Sequence, residues 1–138
     1  MVQEIYSSLL QQRYCDRSGQ ERRMNTGNVL VISPYNIQVN YLQSILPAGA
    51  RVGTIDLFQG QEAEVVLLSM TTSDAENLPR DREFLFSKNR LNVAISRART
   101  LAVVVANKKL LAIDCFSVEQ MRLVNTLCWL KSYSQNYP

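Results

Sequence analysis

Short apolar runs recur along this chain and constrain its fold more than any other feature. VLVI at 29–32 stops at Ser33-Pro34, and comparable runs occupy residues 64–70 and 101–106. Apolar runs of this length fit strands that are buried on both faces, as in a parallel sheet. Segments with helical spacing alternate with these runs. The sequence therefore predicts an α/β fold in which helices sandwich a parallel β-sheet.

The remaining segments are assigned from apolar spacing and from turn residues. Helices are predicted over 2–14, 36–46, 89–97, 108–113 and 118–130, a short strand over 51–55, a loop over 15–28 and a polar surface excursion over 72–84. The last eight residues are predicted to fray. We expect one domain over 1–138, with a helix and loop at 1–28, a core at 29–107 and terminal helices at 108–138.

Composition excludes several kinds of site. The chain has no histidine, and Cys15, Cys115 and Cys128 are widely spaced without a CxxC pair, so we expect free thiols and no metal site. No apolar run approaches the roughly 20 residues that span a bilayer, and the N-terminus lacks a signal-peptide pattern. The prediction is a cytoplasmic protein with no membrane contact.

Basic residues concentrate towards the C-terminal half of the predicted core. Between residues 80 and 99 the chain carries Arg80, Arg82, Lys88, Arg90, Arg97 and Arg99 against Asp81 and Glu83. Such a cluster fits either phosphate binding or a solvated surface, and composition does not choose between them. Ligands of parallel sheets collect at the carboxyl ends of strands. We therefore expect a functional rim at 33–34, 56–61, 71–72 and 106–107.

Three segments carry a specific resemblance. VISPYNIQ (31–38), VGTIDLFQGQEAEVVLLS (52–69) and RLNVAISRART (90–100) resemble, in order and spacing, motifs IV, V and VI of superfamily 1 helicases. The branch they are most similar to includes the nonsense-mediated-decay helicase and the Dna-two-type nuclease-helicases. The resemblance covers about residues 29–107. It implies a RecA-like P-loop NTPase fold and the second motor lobe of an ATP-dependent DNA or RNA helicase or translocase.

The resemblance assigns an ATP-binding role to motifs V and VI. Arg97 matches the arginine that contacts the γ-phosphate, and Glu62 matches a ribose-binding glutamate, with Gly60 allowing a sharp turn and Gln59 linking the two ligands. Arg99 is expected to support the site, and Glu62 and Arg97 are expected at the predicted rim. A guanidinium presents a planar fork of donors that suits phosphate oxygens. A surface salt bridge for Arg97, and a simple turn cap for Gln59 and Glu62, stay open as structural alternatives.

The resemblance assigns a nucleic-acid role to hydroxyl residues. Ser33 and Thr54, with Thr71 or Thr72, match positions that hold a phosphodiester backbone, which hydroxyl donors do without reading base sequence. Tyr35 fits either stacking on a base or packing at a strand-to-helix junction. The expected partner is single-stranded nucleic acid, DNA rather than RNA.

Three further polar residues are expected to support the site or the face between lobes. Gln38 belongs to motif IV and is expected at the interlobe face, and Arg90 is a supporting cation. Asp56 would repel a phosphate, so we expect it to bond a neighbouring main chain. Thr54 and Asp56 are predicted to share one face of the strand at 51–55.

The sequence lacks two parts of an ATPase site. It contains no GxxxxGK[ST] loop and no adjacent Asp-Glu pair. The resemblance places the phosphate loop and the Mg²⁺ that accompanies ATP on the first RecA-like lobe of the same parent chain. We thus expect a fragment of a longer protein that does not hydrolyse ATP alone. Related helicases are often fused to a nuclease domain, which makes such a domain a candidate neighbour.

Two other functions compete with this interpretation. A non-catalytic α/β module that binds nucleic acid or protein would keep the fold, but it would be expected to lose Arg97 or Glu62. A nuclease would need clustered carboxylates or histidines for metal, and the acidic residues here are scattered.

Overall fold

The computed structural model describes residues 1–70 and 88–135. Its α-helices are α1 (Val2–Leu10), α2 (Asn36–Ile45), α3 (Lys88–Ser96) and α4 (Val118–Gln135). Its strands are β1 (Arg13–Cys15), β2 (Glu21–Arg23), β3 (Val29–Ile32), β4 (Arg51–Gly53), β5 (Ala63–Ser69) and β6 (Ala98–Val105). Short 3₁₀ helices cover Thr26–Asn28, Ile55–Phe58 and Lys108–Ala112.

The main sheet is parallel, as the apolar runs predict. Its strand order is β4-β3-β5-β6, and each neighbouring pair runs in the same direction. β3 is buried along its whole length, and Ile32 is level with Gly53 on one side and Leu68 on the other. The carboxyl ends of β3, β4 and β5 therefore share one edge of the sheet.

Helices cover both faces of this sheet, which confirms the predicted sandwich. Alternate residues of a strand point to opposite faces, and in β3 Val29 and Val31 belong to one core while Leu30 and Ile32 belong to the other. The first core includes residues of α1 and α2: Tyr6, Val39 and Leu42. The second includes residues of the 3₁₀ helix Ile55–Phe58, α3, the 3₁₀ helix Lys108–Ala112 and α4: Phe58, Leu91, Ala94, Leu110 and Leu127.

The segment at 15–28 is not the loop that its polar composition suggested. It contributes to an antiparallel hairpin of β1 and β2, in which Arg13, Tyr14 and Cys15 pair with Arg23, Arg22 and Glu21. The Asp16 carboxylate accepts hydrogen bonds from the backbone of Ser18 and Gln20 and from the Ser18 hydroxyl, which closes the turn. The predicted helix at 2–14 is shortened accordingly and ends at Leu10.

The predicted strand at 51–55 was also too long. β4 ends at Gly53, and the chain turns into the 3₁₀ helix Ile55–Phe58. This turn packs so closely on the strand end that a side chain at Gly53 would overlap Leu57. Thr54 and Asp56 consequently do not share one face of a strand.

Towards the C-terminus the elements are longer than predicted. β6 begins at Ala98 instead of residue 101, so it contains Arg99, and α4 continues past residue 130 to Gln135. The predicted fraying is wrong for residues 131–135. The predicted surface excursion at 72–84 lies outside the described residues.

Tyr6 provides a test of the core beneath α1. Its side chain is fully buried, its hydroxyl has no hydrogen-bond partner within residues 1–70 and 88–135, and burial raises the pKa of the phenol. A buried polar group without a partner costs about 1–3 kcal/mol. Tyr6→Phe should therefore raise the free energy of unfolding by about 1 kcal/mol in a urea titration. A loss of stability would show that the hydroxyl is bonded in solution.

Neither described part of the chain contains a helix that is both long enough and apolar enough to cross a bilayer.

Candidate functional site

One backbone hydrogen bond brings motifs V and VI together. The amide of Ala63, at the start of β5, donates to the carbonyl of Arg97, just before β6, at 3.1 Å. Ala63 also pairs with Ala98 in the strand register. Glu62 and Arg97, which are far apart in sequence, therefore lie side by side at the amino-terminal edge of the sheet.

This placement corrects the predicted rim, which put Glu62 and Arg97 at the carboxyl edge with Ser33. After β4, the 3₁₀ helix Ile55–Phe58 and the following turn carry the chain back across the second core face. The chain therefore starts β5 at the opposite edge. β5 has seven residues, so the two edges are separated by about 20 Å at roughly 3.3 Å per residue.

Arg97 is half-buried in the turn between α3 and β6. Its Nε atom is buried and has no hydrogen-bond partner within the described residues. Guanidinium donors that are withdrawn from water without a partner are costly unless an anion binds them. Among the described residues Arg97 forms no salt bridge, the structural alternative that the sequence left open.

Arg99 joins two carboxylates at the same edge. Its Nε donates to Glu62 Oε2 at 3.1 Å, and its Nη1 donates to Glu64 Oε1 at 3.4 Å. Thr100 Oγ1 donates to the other oxygen of Glu64 at 3.3 Å. The hydrogen bond to Glu62, and to a smaller extent the one to Glu64, raises the pKa of the Arg99 guanidinium above its ordinary value, so this cation remains charged. Glu62 Oε1 keeps no hydrogen bond within residues 1–70 and 88–135.

An irregularity in the strand pairing explains this arrangement. Ala63 pairs with Ala98 but Val65 pairs with Leu101, so β6 holds one residue more than β5 in this interval. Such a bulge sets two residues against one on the partner strand and changes the direction of a side chain. Arg99 and Thr100, which would point to opposite faces of a regular strand, can therefore both contact Glu64.

The turn before β5 is held from its other side. Gly60 has φ +76°, a conformation that favours glycine, as the predicted sharp turn requires. Arg51 donates to the Gln61 side chain at 2.6 Å and to the Gly27 carbonyl at 2.8 Å. Gln59 is exposed beside this turn. Sequence reasoning missed Arg51 and Glu64, because their contacts depend on a register that no local pattern specifies.

The carboxyl edge contains a different group of predicted residues. Ser33 is fully buried, Thr54 is half-buried, and Arg90 Nη1 lies 3.6 Å from Asp56 Oδ2. Asp56 therefore faces a cation, where a main-chain partner was expected. Thr71 and Thr72 lie outside the described residues.

A cavity of about 30 Å³ opens beside these residues, which is room for about one water molecule and not for a base. It is lined by Ile32, Ser33, Pro34, Thr54, Ile55, Leu68, Met70, Arg90, Leu91 and Ala94.

Two motif IV residues connect α2 to the sheet. Tyr35 precedes the helix, is half-buried and packs against the core on the α3 side. Gln38 Nε2 donates to Ser69 Oγ at 2.6 Å, which ties the first turn of α2 to the end of β5. No group of three or more His, Cys, Asp or Glu side chains in the described ranges is arranged to hold a metal ion.

Comparison with known families decides the assignment. A family model described as an AAA domain matches residues 1–109, well over half of the chain. The chain belongs to this AAA domain family. The parallel sheet and its flanking helices are consistent with the RecA-like fold that the motifs implied.

Individual relatives of this AAA domain are named as helicases. "Probable RNA helicase armi" of Drosophila melanogaster is 37% identical over 95 residues, which cover 61% of this chain and 8% of the relative. "DNA polymerase alpha-associated DNA helicase A" of Saccharomyces cerevisiae is 40% identical over 86 residues, which cover 59% of this chain and 12% of the relative. An uncharacterized ATP-dependent helicase of Methanocaldococcus jannaschii is 33% identical over 112 residues (78% and 15%).

These matches confirm a superfamily 1 helicase domain of the branch that includes the nonsense-mediated-decay helicase. The AAA domain spans only 8%, 12% and 15% of the lengths of those three relatives. Among solved structures, the arterivirus nonstructural protein 10 helicase is 22% identical with a TM-score of 0.30, over 86% of this chain and 25% of that chain. That score is too low to add to the assignment, which is based on sequence.

Proposed function

We propose that this chain is the second motor lobe of an ATP-dependent superfamily 1 helicase or translocase, contributing Arg97 and Glu62 to an ATP site between lobes. The observation that carries the proposal is the hydrogen bond from Ala63 N to Arg97 O. It joins the two motifs that the family resemblance assigns to ATP at one edge of the sheet.

Arg97 supplies the charge that phosphoryl transfer needs. Negative charge is spread over the γ-phosphate oxygens in the transition state, and an arginine presented from a neighbouring unit contributes about 10³ to 10⁵ in rate. The buried Nε of Arg97 has no partner in the described residues, which fits a donor completed by ligand. The first lobe would supply the phosphate loop and the Mg²⁺ ion, which would offset negative charge on the phosphates.

Glu62 suits the ribose of the same nucleotide. A carboxylate accepts hydrogen bonds from hydroxyl groups, and Arg99 already holds one Glu62 oxygen. Glu62 Oε1 is left to accept from a ribose hydroxyl. This division lets Arg99 fix the carboxylate without competing for the oxygen that the nucleotide would use.

The carboxyl edge is proposed to hold the phosphodiester backbone of single-stranded nucleic acid, DNA rather than RNA. Thr54 is the accessible hydroxyl there, since Ser33 is fully buried, and Thr71 and Thr72 follow β5 in sequence after Met70. Nucleotide and strand would then bind about 20 Å apart at opposite ends of β5. ATP binding would drive lobe closure through its higher affinity for the closed state.

Glu62 and Arg99 provide the test of the nucleotide site. In the full-length protein that carries this domain, Glu62→Gln should raise KM for ATP about tenfold, the equivalent of one hydrogen bond to a charged group. The value of kcat should stay within about twofold. The assay is ATP hydrolysis stimulated by oligodeoxythymidine. Arg99→Met should shift KM in the same direction, and Arg99→Lys should restore part of the loss.

Glu119→Gln is the matched control, because Glu119 is an exposed glutamate on α4. Comparing 2′-deoxy- and 3′-deoxy-ATP would identify the hydroxyl concerned, since Glu62→Gln should cost little with the analogue that lacks it. An unchanged KM in both Glu62 and Arg99 variants would contradict a ribose contact. Hydrolysis of ATP by the isolated chain would contradict the need for a first lobe.

A further inference from the structure

The hairpin of β1 and β2 carries most of the net charge of the chain. Residues 13–23 contain four arginines and two carboxylates, which gives +2, while the whole chain has a net charge of +3. The four arginines are Arg13, Arg17, Arg22 and Arg23. Lysine is absent from the segment. Arginine is the cation that holds phosphate oxygens with a planar fork of donors.

The packing of Tyr14 on the core shows which residues form the outer face of this hairpin. Tyr14 is half-buried, packs on the first core and accepts a hydrogen bond from Asn28 Nδ2 at 3.2 Å. Neighbouring strand residues alternate in direction, so Arg13 and Cys15 point away from the body. Their cross-strand partners Arg23 and Glu21 point the same way, and all four are exposed.

This outer face holds more cations than its acids can neutralise. Arg13 and Arg23 are directly opposite each other, an arrangement of like charges that destabilises a strand pair. In the described ranges Glu21 forms an ion pair with Arg13 alone, in which Arg13 Nη1 lies 2.9 Å from Glu21 Oε2. Arg23 and the exposed turn residue Arg17 have no ion pair or hydrogen-bonded side-chain partner within the described part of the chain. A bound anion would remove the repulsion between the opposed arginines.

The turn keeps these cations in place, although only Tyr14 of the two strands packs on the core. Asp16 accepts from Ser18, Gln20 and Arg22, and these hydrogen bonds hold the pKa of its carboxyl well below the usual range. A two-stranded hairpin with a single half-buried side chain would otherwise be marginal. The hairpin therefore presents its arginines from a preformed scaffold and contributes little to the core.

We propose that the outer face and the turn of this hairpin, through Arg13, Arg23 and Arg17, bind the phosphodiester backbone of nucleic acid. This contact is additional to the carboxyl edge and independent of the ATP site. A chain of phosphates fits it better than a single anion does, because the cations lie along the hairpin from its open end to its turn. The binding should be independent of base sequence and sensitive to salt.

Charge-removal variants of the 138-residue chain test the inference. The probe is a fluorescent 30-nucleotide oligodeoxythymidine, followed by anisotropy from 50 to 300 mM NaCl. Arg17→Gln/Arg23→Gln should weaken binding about tenfold at 100 mM NaCl. It should also reduce the salt slope by about 1.4, since each arginine that neutralises a phosphate of a single strand adds about 0.7. Both residues are exposed, so the fold should be retained, as circular dichroism can verify.

Arg122→Gln/Lys131→Gln is the matched control, because it removes the same charge from exposed positions on α4. It should change the affinity less than twofold. Equal weakening by both double variants, or by neither, would overturn the assignment. In the full-length protein the hairpin variant should keep its ATPase rate at saturating oligonucleotide. A negative result for the hairpin would therefore not contradict the proposed ATP site.

Cys15 gives a second measurement on the same face. It is an exposed free thiol, whereas Cys115 and Cys128 are less exposed. Oligodeoxythymidine should slow alkylation of Cys15 at least threefold and leave the other two cysteines unchanged. Polyglutamate of equal charge should protect much less. Equal protection by polyglutamate would make the partner an acidic protein, and absence of protection by either would contradict a binding face.

Discussion

Arg97→Ala should lower the rate of nucleic-acid-stimulated ATP hydrolysis by the full-length protein at least a hundredfold. The substitution removes the guanidinium at the start of β6, whose Nε is buried without a partner in the described residues. Arginine fingers contribute about 10³ to 10⁵ in rate by stabilising charge that develops only in the transition state. The loss should therefore fall on kcat, with ATP affinity changed less than about threefold in equilibrium binding.

Two further variants separate this explanation from a general loss of structure. Arg97→Lys keeps the charge but loses the planar fork, so it should recover only part of the rate. Arg122→Ala removes an exposed arginine from α4 and should leave the rate unchanged. If Arg97→Ala hydrolyses ATP at the normal rate, the chain is not the lobe that completes the site. The non-catalytic binding module would then be the better interpretation.

Leu67→Ala should destabilise the domain by about 3 kcal/mol, the typical cost of truncating a fully buried leucine. Leu67 lies in the middle of β5, is fully buried and belongs to the core under α1 and α2. Truncation removes apolar contacts and leaves a cavity that the packed sheet cannot close. The free energy of unfolding, measured by urea titration of the 138-residue chain, should fall with an unchanged m-value.

Leu57→Ala is the corresponding control, since Leu57 is 61% exposed. It should cost less than about 0.5 kcal/mol, as surface substitutions usually do. Comparable losses from the two leucines would mean that β5 is not at the centre of the fold. Because Leu67 points away from the α3 side of the sheet, the variant should leave the core on that side intact at temperatures where it is folded.

The sequence predicted the sheet well because its strands are apolar on both faces. β3 was located to the residue, and the end of β5 to within one residue. Polar elements were harder. The β1–β2 hairpin buries only Tyr14 in part, so its strands carry no apolar alternation, and the turn that Asp16 closes was overlooked. The end of β4 depends on how the following turn packs over Gly53, which is a tertiary effect.

The sequence predicted which residues belong to the candidate site better than it predicted how they are arranged. The motifs named Glu62, Arg97 and Arg99, and the structure brings these three together. The predicted edge of the sheet was wrong, because the 3₁₀ helix Ile55–Phe58 and the following turn carry the chain away from the carboxyl edge before β5 begins. The pairing of Arg99 with Glu62 depends on a bulge in β6, and spacing along the chain cannot reveal the register of two strands.

β5 reaches from the Glu62 side of the sheet to the Gln38–Ser69 contact. It pairs with β6 from Ala63 to Ser69 and with β3 from Val65 to Leu68, and it is buried except at Glu64. Such a strand resists stretching and bending, because either would disturb hydrogen bonds to both neighbouring strands at once. We therefore expect the two ends of β5 to move together, and any flexibility of the domain to lie outside this strand.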